Sequence, residues 1–303
     1  MHLALHPVPP FNFDLSARIF SGGDPQIRAY GDSRYRQVIR LDGALALATI
    51  TSTGSTAEPR LSVALASDRQ PSRADGNVAR RVIRRLFNLD FDLKPFYADM
   101  KADPVMSKLT RRLRGLKSPT TATIFEALAS SIIEQQISLA AAHSMERKVV
   151  TAFGAPLTVN ATTYYAFPAP SDVAVARLAR LRACGLSHRK AEYIRDIARL
   201  IVGGRLDLER FRSYESTDRV IEELREIRGI GVWTAELTAL RGLRAYDAFP
   251  ADDLGLRRVV ARYYANDRII TSDQARKIAG RWGRWKGLAG YYLMVAAMLD
   301  IEA

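Results

Sequence analysis

The chain has 303 residues, with 45 Lys and Arg against 32 Asp and Glu, for a formal net charge of +13. Apolar residues make up 48% and charged residues 25%, a globular mix that excludes a disordered chain. The single cysteine, Cys184, excludes an internal disulfide, a cysteine-based zinc site and an iron–sulfur cluster. The opening MHLALHPVPP has no basic segment ahead of a long apolar run, and no window approaches the roughly 18 apolar residues of a membrane helix. The expectation is a cytoplasmic protein without a membrane partner, nucleoid-associated if prokaryotic. A strong basic excess most often answers a polyanion, and nucleic acid is the commonest one.

The first 70 residues read as β-rich. Tyr35 to Leu41 and Ala44 to Thr53 flank Asp42-Gly43, which favours a two-residue hairpin turn. A turn at Gly54-Ser55 leads to a third strand, Leu61 to Ser67, completing a meander. Pro71 to Gly76 reads as a loop. Asn77 to Leu89 reads as an amphipathic helix with Val78, Val82, Ile83, Leu86 and Leu89 on one face. A domain boundary is placed near residue 90, giving an N-terminal α+β domain with an antiparallel sheet (1–90) and an all-helical region (91–303). From Arg73 to Lys117 stand twelve basic residues against five acidic ones. That stretch reads either as a nucleic-acid footprint or as a solvated helix face.

Beyond residue 90 the pattern is helical, with eight to ten helices of modest length. Phe125, Leu128, Ala129, Ile132 and Ile133 follow a 3.6-residue period ending near Gln135-Gln136. Ser138 can cap the next helix, which runs to about Phe153. Ser171 and Gly185 bracket a short helix, and Ser187 opens another that ends at Gly203-Gly204. Ser216 or Thr217 caps Arg219 to Glu226, and Val232 to Leu243 follows a tight turn. Asp252 or Asp253 caps a helix to Tyr264, Thr271 or Ser272 opens one to Trp282, and a last helix runs from about Leu288 to Leu299.

The most informative stretch is Leu224 to Ala235, LREIRGIGVWTA. Gly229-Ile230-Gly231 is too short for anything but a sharp turn between two helices. Glycine lets the backbone turn tightly and leaves no side chain over the amides that open the second helix. Those amides are unpaired and the helix dipole favours an anion, so the turn reads as a phosphate seat. Eighteen residues beyond Gly231, the segment Phe249-Pro250-Ala251-Asp252-Asp253 ends just before a helix. A helix cap explains such an aspartate by itself. The functional alternative is a carboxylate held at a helix start and facing an aromatic pocket.

Taken together, these motifs resemble the helix-hairpin-helix DNA glycosylase superfamily, and within it the alkylpurine branch, DNA-3-methyladenine glycosylase II. The hairpin IRGIGVWTA and the segment FPADDLGLRR carry the resemblance, joined by IEQQIS (133–138), GLSHRKAEYI (185–194) and RWKGLAGYY (284–292) after Trp282-Gly283. PPFNF (9–13) and RLFNLDFDL (85–93) extend it over nearly the whole chain. The resemblance implies a mainly α fold, with helix-hairpin-helix domains after a small N-terminal antiparallel sheet. The hairpin is expected at about 217–243 and the catalytic segment at 249–257. Asp253 falls at the catalytic carboxylate. Gly229, Gly231 and Thr234 fall at the amides that hold a DNA phosphate, and Gln136, with Ile137 beside it, at the wedge that fills the space left by a flipped nucleotide. Trp233, Leu237, Met294 and Ile19 fall at the base pocket, where some members carry aromatics in place of the last three.

Bifunctional members place a lysine nucleophile where this chain has Trp233, and tryptophan forms no Schiff base. The implied enzyme is therefore monofunctional. It excises alkylated purines, such as 3-methyladenine and 7-methylguanine, from damaged duplex DNA, and acts as a monomer. No cofactor is required. A structural Na⁺ or K⁺ is implied at the backbone carbonyls of Arg225 and Ile227. Three competing readings are a non-catalytic damage-binding protein, a glycosylase for deaminated or other bases, and a purely structural helical module.

Overall fold

In the computed structural model, which describes residues 1–302, the N-terminal sheet is wider than its sequence signature. Strands β1 (His2–Leu5), β2 (Arg28–Gly31), β3 (Arg34–Arg40), β4 (Leu45–Ser52) and β5 (Leu61–Ala66) form one antiparallel sheet in the order β1-β5-β4-β3-β2. The expected meander is its centre. Asp42-Gly43 makes the β3–β4 turn, where the Leu41 amide donates to the Ala44 carbonyl at 2.8 Å and Gly43 takes a φ of +68°. The two added strands are four residues each, too short to show an alternating pattern. Between them lies α1 (Phe13–Ala17), capped by Asn12.

One sheet face is covered by α2 (Arg73–Leu86), which begins before the expected Asn77. Ser72 and Asp75 form a reciprocal cap: the Asp75 amide donates to Ser72 Oγ at 3.2 Å and the Ser72 amide to Asp75 Oδ2 at 2.7 Å. The segment read as a loop is therefore the first turn of the helix. A Cβ added at Gly76 would lie 3.1 Å from the Met1 sulfur and 3.4 Å from the Leu3 side chain. Ala79, Ile83 and Leu86 of α2 join Leu3, Ile50, Val63 and Phe87 in one apolar cluster.

The other sheet face, through Val38 and Leu47, packs on Leu157 and Ala166. Leu157 lies in, and Ala166 just after, a hairpin of β6 (Pro156–Val159) and β7 (Thr162–Tyr165), so the region after residue 90 is not all-helical. Its turn residues Asn160 and Ala161 both have positive φ, +48° and +63°. Alanine stands where glycine is usual, which hides the hairpin from a sequence reading.

The remaining helices are α3 (Lys94–Asp99), α4 (Pro104–Arg112), α5 (Ile124–Glu134), α6 (Leu139–Phe153), α7 (Pro170–Ala174), α8 (Leu178–Ala183), α9 (His188–Val202), α10 (Thr217–Arg225), α11 (Val232–Thr238), α12 (Leu254–Tyr264), α13 (Ser272–Ala279) and α14 (Lys286–Met298). That is twelve among the described residues rather than eight to ten. The surplus comes from α3 and α4, which begin at or beside prolines, and from α7 and α8 where a single short helix was expected. Beyond α11 the chain widens into a π-helical segment, Ala239–Leu243, and ends at Arg244 with φ +63°. The helices enclose two cores. The first, around Leu128, Ile132, Leu181, Ile194 and Leu224, is built from the contiguous stretch α5–α11. The second unites Phe96 and Leu109 of α3 and α4 with Trp282, Leu288 and Tyr292 near the C-terminus.

No helix among the described residues is long and apolar enough to cross a membrane.

Candidate active site

The α10–α11 turn distinguishes its two glycines. Gly229 has φ +92°, and an added Cβ would lie 2.3 Å from the Tyr193 ring, so both backbone and neighbour demand glycine. Gly231 has φ −88° and nothing within 4 Å of its would-be Cβ. Its bareness serves no internal packing and leaves the turn open to solvent. The first helical bond of α11 runs from the Ala235 amide to the Gly231 carbonyl at 3.0 Å. The amides of Val232, Trp233 and Thr234 precede it and are the orphan donors of the helix start.

The Thr234 side chain faces inward, away from the open turn. It is buried, and its hydroxyl accepts from Gln135 Nε2 at 3.0 Å. The same Gln135 nitrogen donates to the Gly229 carbonyl at 3.1 Å. Thr234 can therefore offer only its amide outward, because its side chain faces the end of α5. Gln135, unassigned by sequence, bolts the hairpin to the α5–α6 turn. That turn carries Gln136, exposed and in the left-handed region at φ +54°, and Ile137, which packs against the first core instead of projecting from the turn. Lys190 of α9 donates from Nζ to the Ile133 carbonyl at 2.9 Å and the Gln135 carbonyl at 2.6 Å. It thus caps the α5 C-terminus, where a cation meets the negative dipole end.

Of the paired aspartates, Asp253 is the one that contacts the hairpin helix. Its Oδ1 accepts from the Leu256 amide at 2.8 Å, capping α12, and its Oδ2 accepts from Trp233 Nε1 at 3.3 Å. Cap and site are the same residue. Asp252 is exposed and accepts from Ser272 Oγ at 2.6 Å. The segment leading to Asp253 is held by Arg276, which grips buried Glu236 of α11 at 2.7 and 3.1 Å and donates to the Phe249 carbonyl at 3.0 Å. Burial pushes the Glu236 carboxyl up and Arg276 opposes it. The Trp233–Asp253 contact joins the helical lobes, since α11 belongs to the first and α12 to the second.

The other pocket candidates are less closely gathered. Leu237 is buried one turn beyond Trp233. A further turn along, Arg241 pairs with Glu134 at 2.6 Å. Met294 on α14 and Ile19, in the turn after α1, are 42% and 47% exposed and lie outside every apolar cluster. At the proposed cation position the Ile227 carbonyl already accepts from the Ile230 amide at 3.1 Å, leaving one lone pair free.

Comparison with known proteins places this geometry. Residues 129–284 match the model of the HhH-GPD superfamily of base excision DNA repair proteins. The chain belongs to that superfamily. The match spans the α5–α6 turn, the hairpin and Asp253 of this HhH-GPD protein. The chain is 36% identical over 213 residues to a DNA-3-methyladenine glycosylase of Bacillus subtilis, covering 70% of each chain. It is 27% identical over 266 residues to DNA-3-methyladenine glycosylase 2 of Escherichia coli, covering 82% of this chain and 89% of that one. In structure it is similar to the 3-methyladenine DNA glycosylase of Archaeoglobus fulgidus, with a TM-score of 0.84, 28% identity and coverage of 98% and 99%. A Schizosaccharomyces pombe 3-methyladenine DNA glycosylase solved with abasic DNA matches at TM-score 0.57 and 25% identity, over 69% of this chain and all of that one. The expected architecture, mainly α after a small antiparallel sheet, stands.

Proposed function

We propose that this HhH-GPD protein is a monofunctional, monomeric glycosylase that removes alkylated purines from damaged duplex DNA and leaves an abasic site. The observation that carries the reading is the 3.3 Å contact between the Asp253 carboxylate and the Trp233 indole. It puts one anion and one electron-rich ring at the same point.

A base inside a duplex is out of reach, so the nucleotide must be extruded at a cost of a few kcal/mol. The free amides at Gly231 to Thr234 suit a backbone phosphate, and such contacts carry no sequence information. Exposed Gln136 suits the space left in the stack. A purine alkylated at N3 or N7 is cationic and is attracted to the Trp233 ring face. When the bond between the base nitrogen and C1′ breaks, its electron pair neutralises the departing base, so no general acid is needed. Positive charge grows on the sugar. The Asp253 carboxylate stabilises it, and accepts a proton as a water oxygen bonds to C1′. Carbonyls at Arg225 and Ile227 would hold a monovalent ion that braces the turn, and the free lone pair of Ile227 fits that part.

The test is incubation with randomly methylated duplex, without cofactor, and chromatography of the released bases. Release of methylated purines by wild type and not by Asp253→Asn supports the reading. DNA binding without release by either would overturn it. Trp233 is the one aromatic ring among the pocket candidates, beside Leu237, Met294 and Ile19, so hypoxanthine, uracil and ethenoadenine substrates belong in the same assay.

A further inference from the structure

The excess charge near the N-terminus has a location that the hairpin chemistry does not use. Arg80, Arg81, Arg84 and Arg85 occupy two i, i+4 pairs on α2, and with Arg244 they line a depression of about 400 Å³. Its sole carboxylate, Asp90, is paired with Arg84. A second depression of about 480 Å³ shares Asn77 and Arg80 and adds Arg73 and His2. The two run together along α2. Among the described residues Arg73, Arg80, Arg81, Arg85 and Arg244 have no carboxylate within ion-pair distance. Burial and the positive charge of Arg212 hold Arg85 below its ordinary value; Arg244 and Arg81 add to this and Glu209 opposes it. Asp90 neutralises Arg84 and the negative end of the helix dipole favours Arg84 and Arg85, but the repulsion within the cluster is otherwise left to an outside anion, which suits a polyanion.

The groove is also remote from the hairpin. The seven residues of α11 span about 10 Å and the π-helical segment to Leu243 adds to that, with the hairpin amides at one end and Arg244 just past the other. The 14 residues of α2 extend about 21 Å, which spans roughly six phosphate steps of one DNA strand at 3.4 Å.

We propose that the α2 groove is a second DNA site, which takes the phosphodiester backbone of another duplex segment while the hairpin holds the first. The proposal rests on the family's DNA partner and not on Asp253, and its readout needs no excision. The experiment counts bound 12-base-pair duplexes per protein by sedimentation at low and moderate salt. Wild type binds two, the second lost first as salt rises. Arg80→Gln/Arg81→Gln/Arg85→Gln binds one, with an undiminished melting temperature. Lys101→Gln/Arg111→Gln/Arg112→Gln removes the same charge elsewhere and still binds two. A wild-type count of one, two duplexes on the α2 variant, or equal loss in the control would overturn the site. So would retention of inorganic polyphosphate by the groove in place of duplex. Arg81→Gln alone, at an exposed position, repeats the comparison should the triple variant fail to fold.

Discussion

Asp253 uses separate oxygens for the helix cap and the hairpin contact, one on the Leu256 amide and one on the Trp233 indole. Asparagine is as good a helix cap as aspartate, so Asp253→Asn should fold, with a stability change of about 1 kcal/mol or less. Its excision rate should fall at least about a thousandfold, the scale seen when a charge-stabilising group is removed from an active site. Denaturation and single-turnover kinetics on the same preparation separate the two effects. The hairpin glycines make an equally sharp pair. Gly229→Ala places a methyl against Tyr193 in a left-handed backbone and should cost about 3 kcal/mol of stability. Gly231→Ala should leave stability within about 0.5 kcal/mol, as for an ordinary surface change. It should nonetheless weaken duplex binding, because the methyl stands over the open amides. Equal melting losses in both would refute the distinction. The glycine turn and the Asp253 cap were legible because turns and caps are set by residue type and spacing. The inward turn of Thr234 was not, since it depends on Gln135, 99 residues away.

Helix starts were the most readable elements, because Ser, Thr and Asp caps are local chemistry. Where two neighbours competed, the residue one step earlier caps α10 and α13, namely Ser216 and Thr271. At α12 the later one, Asp253, takes the position, and Asp252 is drawn off to Ser272. The ends of elements were less readable. The α5–α6 turn depends on Lys190, whose spacing in GLSHRKAEYI gives no hint of its target. Lys190→Met leaves two carbonyls of α5 without their donor and loosens the backbone under Gln136. The expected outcome is a tenfold or larger drop in single-turnover excision with little change in duplex affinity. A matching loss of affinity would mean that Lys190 touches DNA directly.

Across the whole molecule, the N-terminal sheet is tied to the helical body by charges no local pattern reveals. Arg28 of β2 pairs with Glu126 of α5 at 2.7 Å and Glu146 of α6 at 3.3 Å, and Glu126 is almost fully buried. Arg28→Met should cost about 3–5 kcal/mol, the usual penalty for stranding a buried charge. Burial pushes the Glu126 carboxyl above its ordinary value even with Arg28 beside it. In the variant the folded state would hold a proton there that the unfolded chain has released, so stability falls as pH rises above the usual glutamate range. The melting deficit against wild type should be larger at pH 8 than at pH 5; an equal deficit would show that Glu126 does not titrate there. The split second core carries a different consequence. Phe96 and Leu109 emerge from the ribosome long before Trp282 and Tyr292, and the complete α5–α11 lobe is made between them. The early helices must wait for these later partners until the lobe between them has been made. Because Asp253 heads a helix of that late core, a nascent chain presents the α10–α11 turn before that carboxylate is braced, so under the function proposed above it would gain the ability to grip a backbone before the ability to cut a base from it.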